Sequence, residues 1–245
     1  MTIDLRRAGE RFWTTAGWLE SRHSFSFGHH YDPANTHFGL LLVSNDDVVA
    51  PGTGFETHPH RDMEIVTWVL DGQLVHQDSE GHSGVIYPGL AQRMTAGSGI
   101  LHSEKNDAWR LVPDASTDEP VHFVQMWVVP DQQRLTPGYE QLDIGEALAR
   151  GGLVPVASGR GHDAAITIQQ KDAALFAGRL AAGESVALAS APYVHLYVAK
   201  GDVSLEGAGE LSTGDAARIT AADGQRVTAG SSGAEILVWE MHSSL

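Results

Sequence analysis

The sequence contains no cysteine among its 245 residues, so disulfide bonds, thiolate metal clusters and a thiol nucleophile are excluded. Basic residues are also scarce: 16 Lys and Arg stand against 31 Asp and Glu, and the formal net charge is −15. The basic residues are scattered along the chain rather than grouped. Such a chain repels polyphosphate, so nucleic acid is not expected to be a direct partner.

Long apolar runs are missing as well. No stretch reaches the length needed to span a bilayer, which argues against a membrane partner. The first residues, 1–7, run into polar and aromatic positions and lack the apolar centre of a secretory signal. We therefore expect a cytoplasmic protein. With 42% hydrophobic residues the chain can form a buried core in one large or two small domains.

Short β-rich runs bounded by Gly, Pro, Asn and Asp dominate what is present, and residues 39–44, 65–70 and 122–129 are examples. Many short strands with regular turns are typical of all-β sandwiches and barrels. Helical signal is confined to residues 145–150, where one or two turns are predicted before the glycine pair Gly151 and Gly152.

A faint internal repeat predicts two copies of one β-unit. The copies are Leu70-Asp71-Gly72, Pro88-Gly89 and Arg93-Met94-Thr95-Ala96-Gly97 against Ala199-Lys200-Gly201, Thr213-Gly214 and Arg218-Ile219-Thr220-Ala221-Ala222. In both, an arginine follows the second glycine by four positions. The alternative is chance similarity between glycine-rich β sequences. We expect a first barrel over residues 1–137, a linker over 138–160 and a second barrel over 161–245.

Two histidine-containing dyads, His58-Pro59-His60 and His102-Ser103-Glu104, are the strongest functional signal. Alternate side chains of a strand share a face, so each dyad can direct two ligands to one ion. Three imidazoles and a carboxylate suit iron, nickel, manganese or zinc and leave two open positions on a six-coordinate ion. The competing interpretation is that these are unrelated surface or turn histidines, since the chain has 13.

The second copy reproduces neither dyad, so its barrel should be free of metal. His195, in a strand-like run, is expected to be a hydrogen-bonded core or edge residue. Strand 122–127 is expected to fill the core, with a pocket-lining face as the alternative. Two roles stay open for Glu64: it lines the pocket and supports the metal ligands, or it forms an outward-facing salt bridge. Solvated or capped side chains are expected for the remaining histidines considered, namely His23, His29, His30, His76, His82, His162 and His242.

Three longer stretches surround the dyads: Thr57-His58-Pro59-His60-Arg61-Asp62-Met63-Glu64, His76-Gln77-Asp78-Ser79 and Met94-Thr95-Ala96-Gly97-Ser98-Gly99-Ile100-Leu101-His102-Ser103-Glu104. Shorter ones are Gly17-Trp18-Leu19, Phe25-Ser26-Phe27, Tyr31-Asp32-Pro33 and Thr136-Pro137-Gly138-Tyr139-Glu140. Through these stretches the chain resembles the pirin family, in particular its bacterial quercetinase-like members, closely over residues 1–140 and loosely beyond.

This resemblance implies a bicupin fold of two jelly-roll barrels. We expect a monomer. It implies that His58, His60, His102 and Glu104 of the first barrel bind one divalent transition metal. Iron(II) is the expected metal, with nickel, manganese, zinc or copper as alternatives. Most cupins take the carboxylate ligand from the first motif, here Glu64, whereas pirins take it from the second, here Glu104, and both assignments stay open.

The resemblance further implies a dioxygenase that opens flavonols such as quercetin with O2 and releases carbon monoxide. Glu104 is then the base that accepts the proton of the flavonol 3-hydroxyl. Nothing in the residues selects a flavonol over another planar phenol. The alternative is a non-catalytic, iron-binding and redox-sensitive regulatory module that acts through a protein partner. Sugar isomerisation is less favoured because no anion-binding cluster is visible beside the ligands.

Overall fold

The computed structural model describes every residue from Met1 to Leu245. The chain forms 20 strands, one short helix and two 3-10 turns, which confirms the predicted all-β class. The strands up to residue 105 are β1 (Thr2–Arg6), β2 (Phe12–Thr15), β3 (Leu19–His23), β4 (Leu41–Val49), β5 (Gly54–His60), β6 (Glu64–Asp71), β7 (Leu74–Asp78), β8 (Ser83–Ile86), β9 (Leu90–Thr95) and β10 (Ile100–Lys105).

The 3-10 turns span Ala8–Glu10 and Ala108–Arg110, and the predicted helix is present as the single turn α1 (Gly145–Leu148). No helix has the length and apolar character needed to cross a membrane. The later strands are β11 (Val121–Val128), β12 (Gly138–Asp143), β13 (Val154–Ser158), β14 (Ile166–Thr167), β15 (Ala173–Leu180), β16 (Ser185–Ala187), β17 (Ser190–Leu205), β18 (Gly209–Ser212), β19 (Ala216–Asp223) and β20 (Arg226–Met241).

Three sheets organise these strands into two halves. The first half combines a seven-stranded sheet, ordered β12-β9-β6-β11-β4-β3-β2, with a four-stranded sheet, ordered β5-β10-β7-β8. The second half is a nine-stranded sheet with the path β1-β19-β17-β20-β15-β13-β14, to which β16 and β18 are added at β20 and β17. The four-stranded sheet carries both histidine dyads, so it is the part of the fold that positions the site.

The two halves exchange strands at their ends. β1 pairs with β19, from Thr2 opposite Thr220 to Arg6 opposite Ala216, so the first strand of the chain completes the second half. The segment expected to be a linker carries β12, which pairs with β9 of the first half, and β13, which pairs with β15 of the second. The division at residues 137 and 160 stays a prediction, and the strand pairing shows that 138–160 is not an unstructured connection.

One apolar cluster of 25 buried residues draws on both halves and joins them. Trp68 and Trp239 are its largest members and are 0% and 1% exposed. Trp68 Nε1 donates to Glu235 Oε1 at 2.8 Å, and Trp239 Nε1 lies 3.2 Å from Met126 Sδ. Each bond crosses between the halves and supplies the buried indole N–H with a partner.

The corners predicted from the repeat have the expected left-handed backbone. Gly72 has φ 79° and Gly201 has φ 77°, values open mainly to glycine. A Cβ atom at Gly72 would lie 2.9 Å from the carbonyl oxygen of Pro120, and one at Gly201 would collide with the backbone of Gly233. Glycine is therefore required at both corners by backbone angle and by space.

Candidate metal centre and pocket

The two histidine dyads lie on neighbouring strands. β5 and β10 are antiparallel, with His102 directly opposite His58 and Ile100 opposite His60. The register shifts between His102 and Glu104, as at a β-bulge, a feature that commonly re-aims side chains beside functional sites. Strand pairing thus unites two segments that are more than 40 residues apart in sequence.

Three of the four predicted ligands converge. The Nε2 atoms of His58 and His102 are 3.1 Å apart, and the ring of His60 lies 4.8 Å from that of His58 and 4.9 Å from that of His102. One candidate ligand atom from each of the three lies within 4.8 Å of the others. Two nitrogens bound side by side to an ion at about 2.1 Å are separated by about 3 Å, which is the observed spacing.

The protonation of these rings also fits a cation. His58 Nδ1 donates to the carbonyl oxygen of Glu56 at 2.7 Å, which leaves the Nε2 lone pair of His58 free. Burial, reinforced by the neighbouring histidines, lowers the pKa of His60 to about 4 and that of His102 to about 3. Both rings are neutral at pH 7, and the buried Nε2 of His60 makes no hydrogen bond to protein.

Glu104 borders this cluster rather than lying within it. Its carboxylate is buried and forms a second group with His76 and His102, also within 4.8 Å. Gln125 Nε2 donates to Glu104 Oε2 at 2.7 Å, and Thr67 Oγ1 donates to Glu104 Oε1 at 3.3 Å. The four predicted ligands are therefore neighbours, with His102 common to both groups.

Glu64 faces a different part of the molecule. Its side chain is 0% exposed, and its Oε2 accepts hydrogen bonds from Thr95 Oγ1 and the backbone N–H of Gln169, both at 3.1 Å. Burial raises its pKa. The outward-facing salt bridge considered from the sequence is wrong, because this carboxyl group is buried against the second half of the molecule.

His76 has the capped rather than the solvated environment of the two expected from the sequence. It is 0% exposed, its Nδ1 lies 3.5 Å from Nδ1 of His102, and its Nε2 contacts Asp78 Oδ2 at 3.2 Å. It also stacks on Tyr139 with ring centroids 4.7 Å apart. His76 thus supports the side of His102 opposite His58. The sequence signal was the run from His76 to Ser79, whose strand alternation directs His76 inward.

Three further histidines, for which a solvated or capped side chain was expected, are capped by polar neighbours. His162 Nδ1 bonds with Ser158 Oγ at 2.9 Å and His242 Nε2 with Glu240 Oε1 at 2.8 Å, so both are capped. His23 is 4% exposed, and its ring nitrogens contact Asn45 Oδ1 at 2.9 Å and Thr14 Oγ1 at 3.0 Å. His23 is therefore capped by neighbouring polar side chains, one of the two environments expected for it.

A cavity of about 730 Å³ adjoins the histidines and includes His58, His60 and Glu104 in its wall. Strand β11 serves both predicted purposes, since it contributes buried apolar residues to the core while Gln125 and Trp127 line this cavity. Trp127 Nε1 donates to Gln125 Oε1 at 3.0 Å, which orients the Gln125 amide toward Glu104. The other aromatic lining residues are Trp18, Phe27 and Phe55.

Asp47 is a pocket residue that the sequence reasoning missed. It is 3% exposed, it lines the cavity, and its Oδ1 has no hydrogen-bond partner in the protein. Burial raises its pKa to about 7 against the opposing hydrogen bond from Ser21, and the charges of Asp46 and Glu104 add to the rise. The available signal was the acidic pair Asp46 and Asp47, which lies inside β4 although the predicted strand ended at residue 44.

Comparison with known proteins agrees with this architecture. Residues 5–128 match the family model described as pirin, and residues 155–241 match the one described as quercetinase C-terminal cupin domain. Two cupin units in one chain, with a histidine cluster in the first, define a bicupin of the expected fold. The chain belongs to the pirin family.

Solved structures of Escherichia coli YhhW are similar over almost the whole chain. One has 37% identity and a TM-score of 0.88, covering 99% of this chain and 98% of that one. A second, described as bacterial pirin YhhW in complex with nickel(II), has 36% identity and a TM-score of 0.86, with both chains fully covered. A divalent metal therefore accompanies this fold in a relative.

Sequence relatives carry the name of an activity. The Mycobacterium tuberculosis protein Rv0181c, provisionally named quercetin 2,3-dioxygenase, is 58% identical over 245 residues, which are 100% of this chain and 97% of that protein. The quercetin 2,3-dioxygenase of E. coli K12 is 40% identical over 207 residues, covering 84% of each chain.

Proposed function

We propose that this protein is a metal-dependent dioxygenase that opens flavonols such as quercetin with O2. The observation that carries the proposal is the position of three converging histidines, His58, His60 and His102, beside a cavity of about 730 Å³. The cavity volume falls within the range of about 300–1,000 Å³ that is usual for small-molecule sites. The names of the M. tuberculosis and E. coli relatives support the same activity.

His58, His60, His102 and Glu104 would hold one divalent ion, with iron(II) as our first choice and nickel supported by the YhhW complex. When bound, such an ion favours the deprotonated form of a coordinated hydroxyl group and brings substrate and O2 to one centre. The protein supplies a prepared set of neutral nitrogen donors, because burial keeps His60 and His102 unprotonated at pH 7.

The aromatic wall suits a flat phenolic substrate. Trp127 lies edge-on to His60 with ring centroids 4.8 Å apart, and it also meets Phe27 edge to face at 5.6 Å. These rings give a planar molecule apolar surface close to the histidines and exclude water from the reacting atoms. The polar lining residues, Asn45 and Gln125 among them, offer hydrogen bonds to phenolic hydroxyl groups.

Glu104 is the residue we assign as proton acceptor for the substrate hydroxyl. Its Oε2 is firmly held by the 2.7 Å bond from Gln125, whereas the bond from Thr67 to Oε1 is longer at 3.3 Å. Oε1 is therefore the oxygen freer to take a proton. Gln125 orients the carboxylate during the transfer, because its own amide oxygen is fixed by Trp127.

The proposal is tested by incubating iron-loaded protein with quercetin in air and measuring loss of flavonol together with carbon monoxide. A matched assay uses Glu104→Gln, which keeps the shape of the side chain and removes the base. Turnover by the unmodified protein and its loss in the variant support the enzyme. Stoichiometric metal binding without turnover favours the alternative, a redox-sensitive regulatory module with a protein partner.

A further inference from the structure

A second cavity, of about 160 Å³, lies where the N-terminal segment and the two barrels meet. Its basic and aromatic wall combines residues that are far apart in the sequence. Its lining residues include Arg6, Arg7, Arg11, Ser24, His195 and Arg218. The arginines that look scattered in the sequence are thus gathered by the fold at one place, within a protein whose overall charge is −15.

Unpartnered polar atoms are concentrated around this cavity. Of eight buried side-chain atoms in the protein that lack a hydrogen-bond partner, four belong to its wall. They are Arg11 Nε, Ser24 Oγ, His195 Nε2 and Arg218 Nε. Buried polar groups are nearly always hydrogen-bonded, because leaving them unpaired costs their lost hydration. Four such atoms around one small space offer hydrogen bonds that a polar ligand in the cavity would complete.

Arg218 carries a buried positive charge with no ion-pair partner. It is 5% exposed, and its Nη2 donates only to uncharged oxygens, the carbonyl of Ser24 at 2.9 Å and Asn35 Oδ1 at 2.8 Å. Its guanidinium stacks over Phe25 at 4.4 Å. Burial lowers its pKa to about 10; the charge of Arg6 adds to the fall and that of Asp4 opposes it without forming an ion pair. A ligand with negative charge would compensate this buried cation.

The equivalent arginine of the first barrel, Arg93, has the carboxylate partner that Arg218 lacks. Arg93 follows the second turn glycine of its copy by four residues, as Arg218 does in the other. Its Nη2 donates to Glu140 at 2.8 Å, its Nε lies 3.9 Å from Glu64, and the same Nε donates to the carbonyl of Thr167 at 2.9 Å. In the second barrel no carboxylate takes that place.

The carboxylates around the second cavity are engaged by other groups. Asp4, which lies opposite Arg218 in the β1–β19 pair, is bound by Arg6 Nη2 at 2.8 Å. Glu10 Oε2 accepts the backbone N–H of Arg7 at 3.2 Å, and Asp32 Oδ1 accepts that of Ala34 at 2.9 Å. Asp46, which contacts Arg11 at 3.4 Å, also accepts from Tyr197 and bonds with His122 at 2.6 Å. These groups leave the Nε atoms of Arg11 and Arg218 without an acceptor.

His195 narrows the class of anion. Burial, together with Arg218 and Arg11, lowers its pKa to about 3, so the ring is neutral at pH 7. A hydrogen bond to its own backbone favours a proton on Nδ1, since Nε2 is the nitrogen without a partner. Nε2 is then a hydrogen-bond acceptor. A ligand that fills this cavity therefore needs an O–H donor for His195 as well as charged oxygens for the arginines.

We propose that this cavity binds hydrogen phosphate as the free ion, because its dianion keeps one P–OH at neutral pH whereas the dianion of a phosphate monoester does not. Arg11, Arg218 and Ser24 would donate to its oxygens, and His195 would accept its P–OH proton. Sulfate carries similar charge but no proton at neutral pH, so it satisfies only the donors. His23 lines both this cavity and the larger one, which places the phosphate behind one wall of the proposed substrate pocket.

The test is calorimetric titration of the full-length protein with inorganic phosphate, beside Ser24→Ala and Arg218→Gln. We expect one phosphate per chain. Ser24→Ala should weaken binding about 10-fold and Arg218→Gln about 100-fold. Arg160→Gln is the matched control, because Arg160 pairs with Glu240 at 3.1 Å and lies outside this cavity. Its affinity should equal that of the unmodified protein.

Further arms separate the possible ligands. A tenfold excess of phosphate over its dissociation constant should raise the melting temperature by about 3–6 °C. Methyl phosphate, whose dianion lacks a P–OH, should bind at least about 10-fold more weakly than phosphate, and equal affinity overturns the assignment of His195 as acceptor. Equal affinity for sulfate overturns the assignment to hydrogen phosphate. No saturable binding up to about 10 mM phosphate, or unchanged affinity in Ser24→Ala, overturns the site.

Discussion

The two barrels use corresponding strand pairs for different purposes. In the first, β5 and β10 place His102 opposite His58. In the second, β16 and β20 place Ser185 opposite Thr228, and their hydroxyl oxygens bond to each other at 2.8 Å. Cavity and histidines thus lie in one half, while 17 buried apolar residues fill the other. Turn glycines preserve the common fold, and a few inward side chains determine which half has the converging histidines.

The largest effect on metal binding and activity is expected from removing the histidines that distinguish the first half. His58→Ala and His102→Ala should each lose stoichiometric metal and flavonol turnover, because each removes a nitrogen donor from the converging set. Both variants should fold, since the apolar clusters do not include these histidines. Elemental analysis, the quercetin assay and circular dichroism are the measurements.

His195→Gln is the matched histidine control in the second barrel, and its metal content should equal that of the unmodified protein. A loss of half or more would show that the second barrel takes part in metal binding. Full metal content in His58→Ala or His102→Ala would contradict the assigned centre.

Glu104 and Glu64 test the choice between two buried carboxylates. Glu104→Gln should lower kcat about 100- to 1,000-fold, because it removes the proposed base while preserving the hydrogen-bonding shape. Glu64→Gln should leave kcat within about threefold, because Glu64 contacts Thr95 and Gln169 instead. Steady-state kinetics normalised to bound iron separate loss of the base from loss of metal. A larger kcat loss in Glu64→Gln would reverse the assignment.

Local sequence pattern was sufficient for the all-β class and the two dyads. Strand alternation aligns His58 with His60, and the family motif connects them with His102. Burial and contacts between residues distant in the sequence could not be predicted from local pattern. The stacking of His76 on Tyr139, about 60 residues away, and the pairing of β1 with β19 both join segments that are distant in the sequence. The second cavity, of about 160 Å³, is likewise lined by residues from distant parts of the sequence.

The shared core predicts that the barrels unfold together. Trp239→Ala should lower the free energy of unfolding by about 3–5 kcal/mol, because it removes a fully buried indole from the cluster that spans both halves. Calorimetry should show a single transition at a lower temperature. Trp13→Ala is the control, since Trp13 is 56% exposed and should change stability by about 0.5 kcal/mol or less. Two separate transitions would contradict a common core.

Asp46 and Asp47 are adjacent residues of β4, and their contributions to stability should change with pH in opposite directions. The pKa of Asp47 is raised to about 7 by burial, so its contribution to stability is present below about 4 and is lost as pH rises through 7. The pKa of Asp46 is lowered to about 2: bonds to His122, Arg11 and Tyr197 outweigh its burial. Its contribution is present above about 4 and is lost toward pH 2.

Asp47→Asn should therefore gain stability relative to the unmodified protein between pH 4 and pH 8, by up to about 4 kcal/mol. Asp46→Asn, the matched neighbour, should be less stable than the unmodified protein at pH 8 and approach it toward pH 2. Urea unfolding of metal-free protein across this range measures both, and chelation keeps any cation near Glu104 from altering the Asp47 equilibrium. A pH-independent difference for Asp47→Asn would mean that this carboxyl group ionises normally, and the cavity wall would then carry a negative charge at neutral pH.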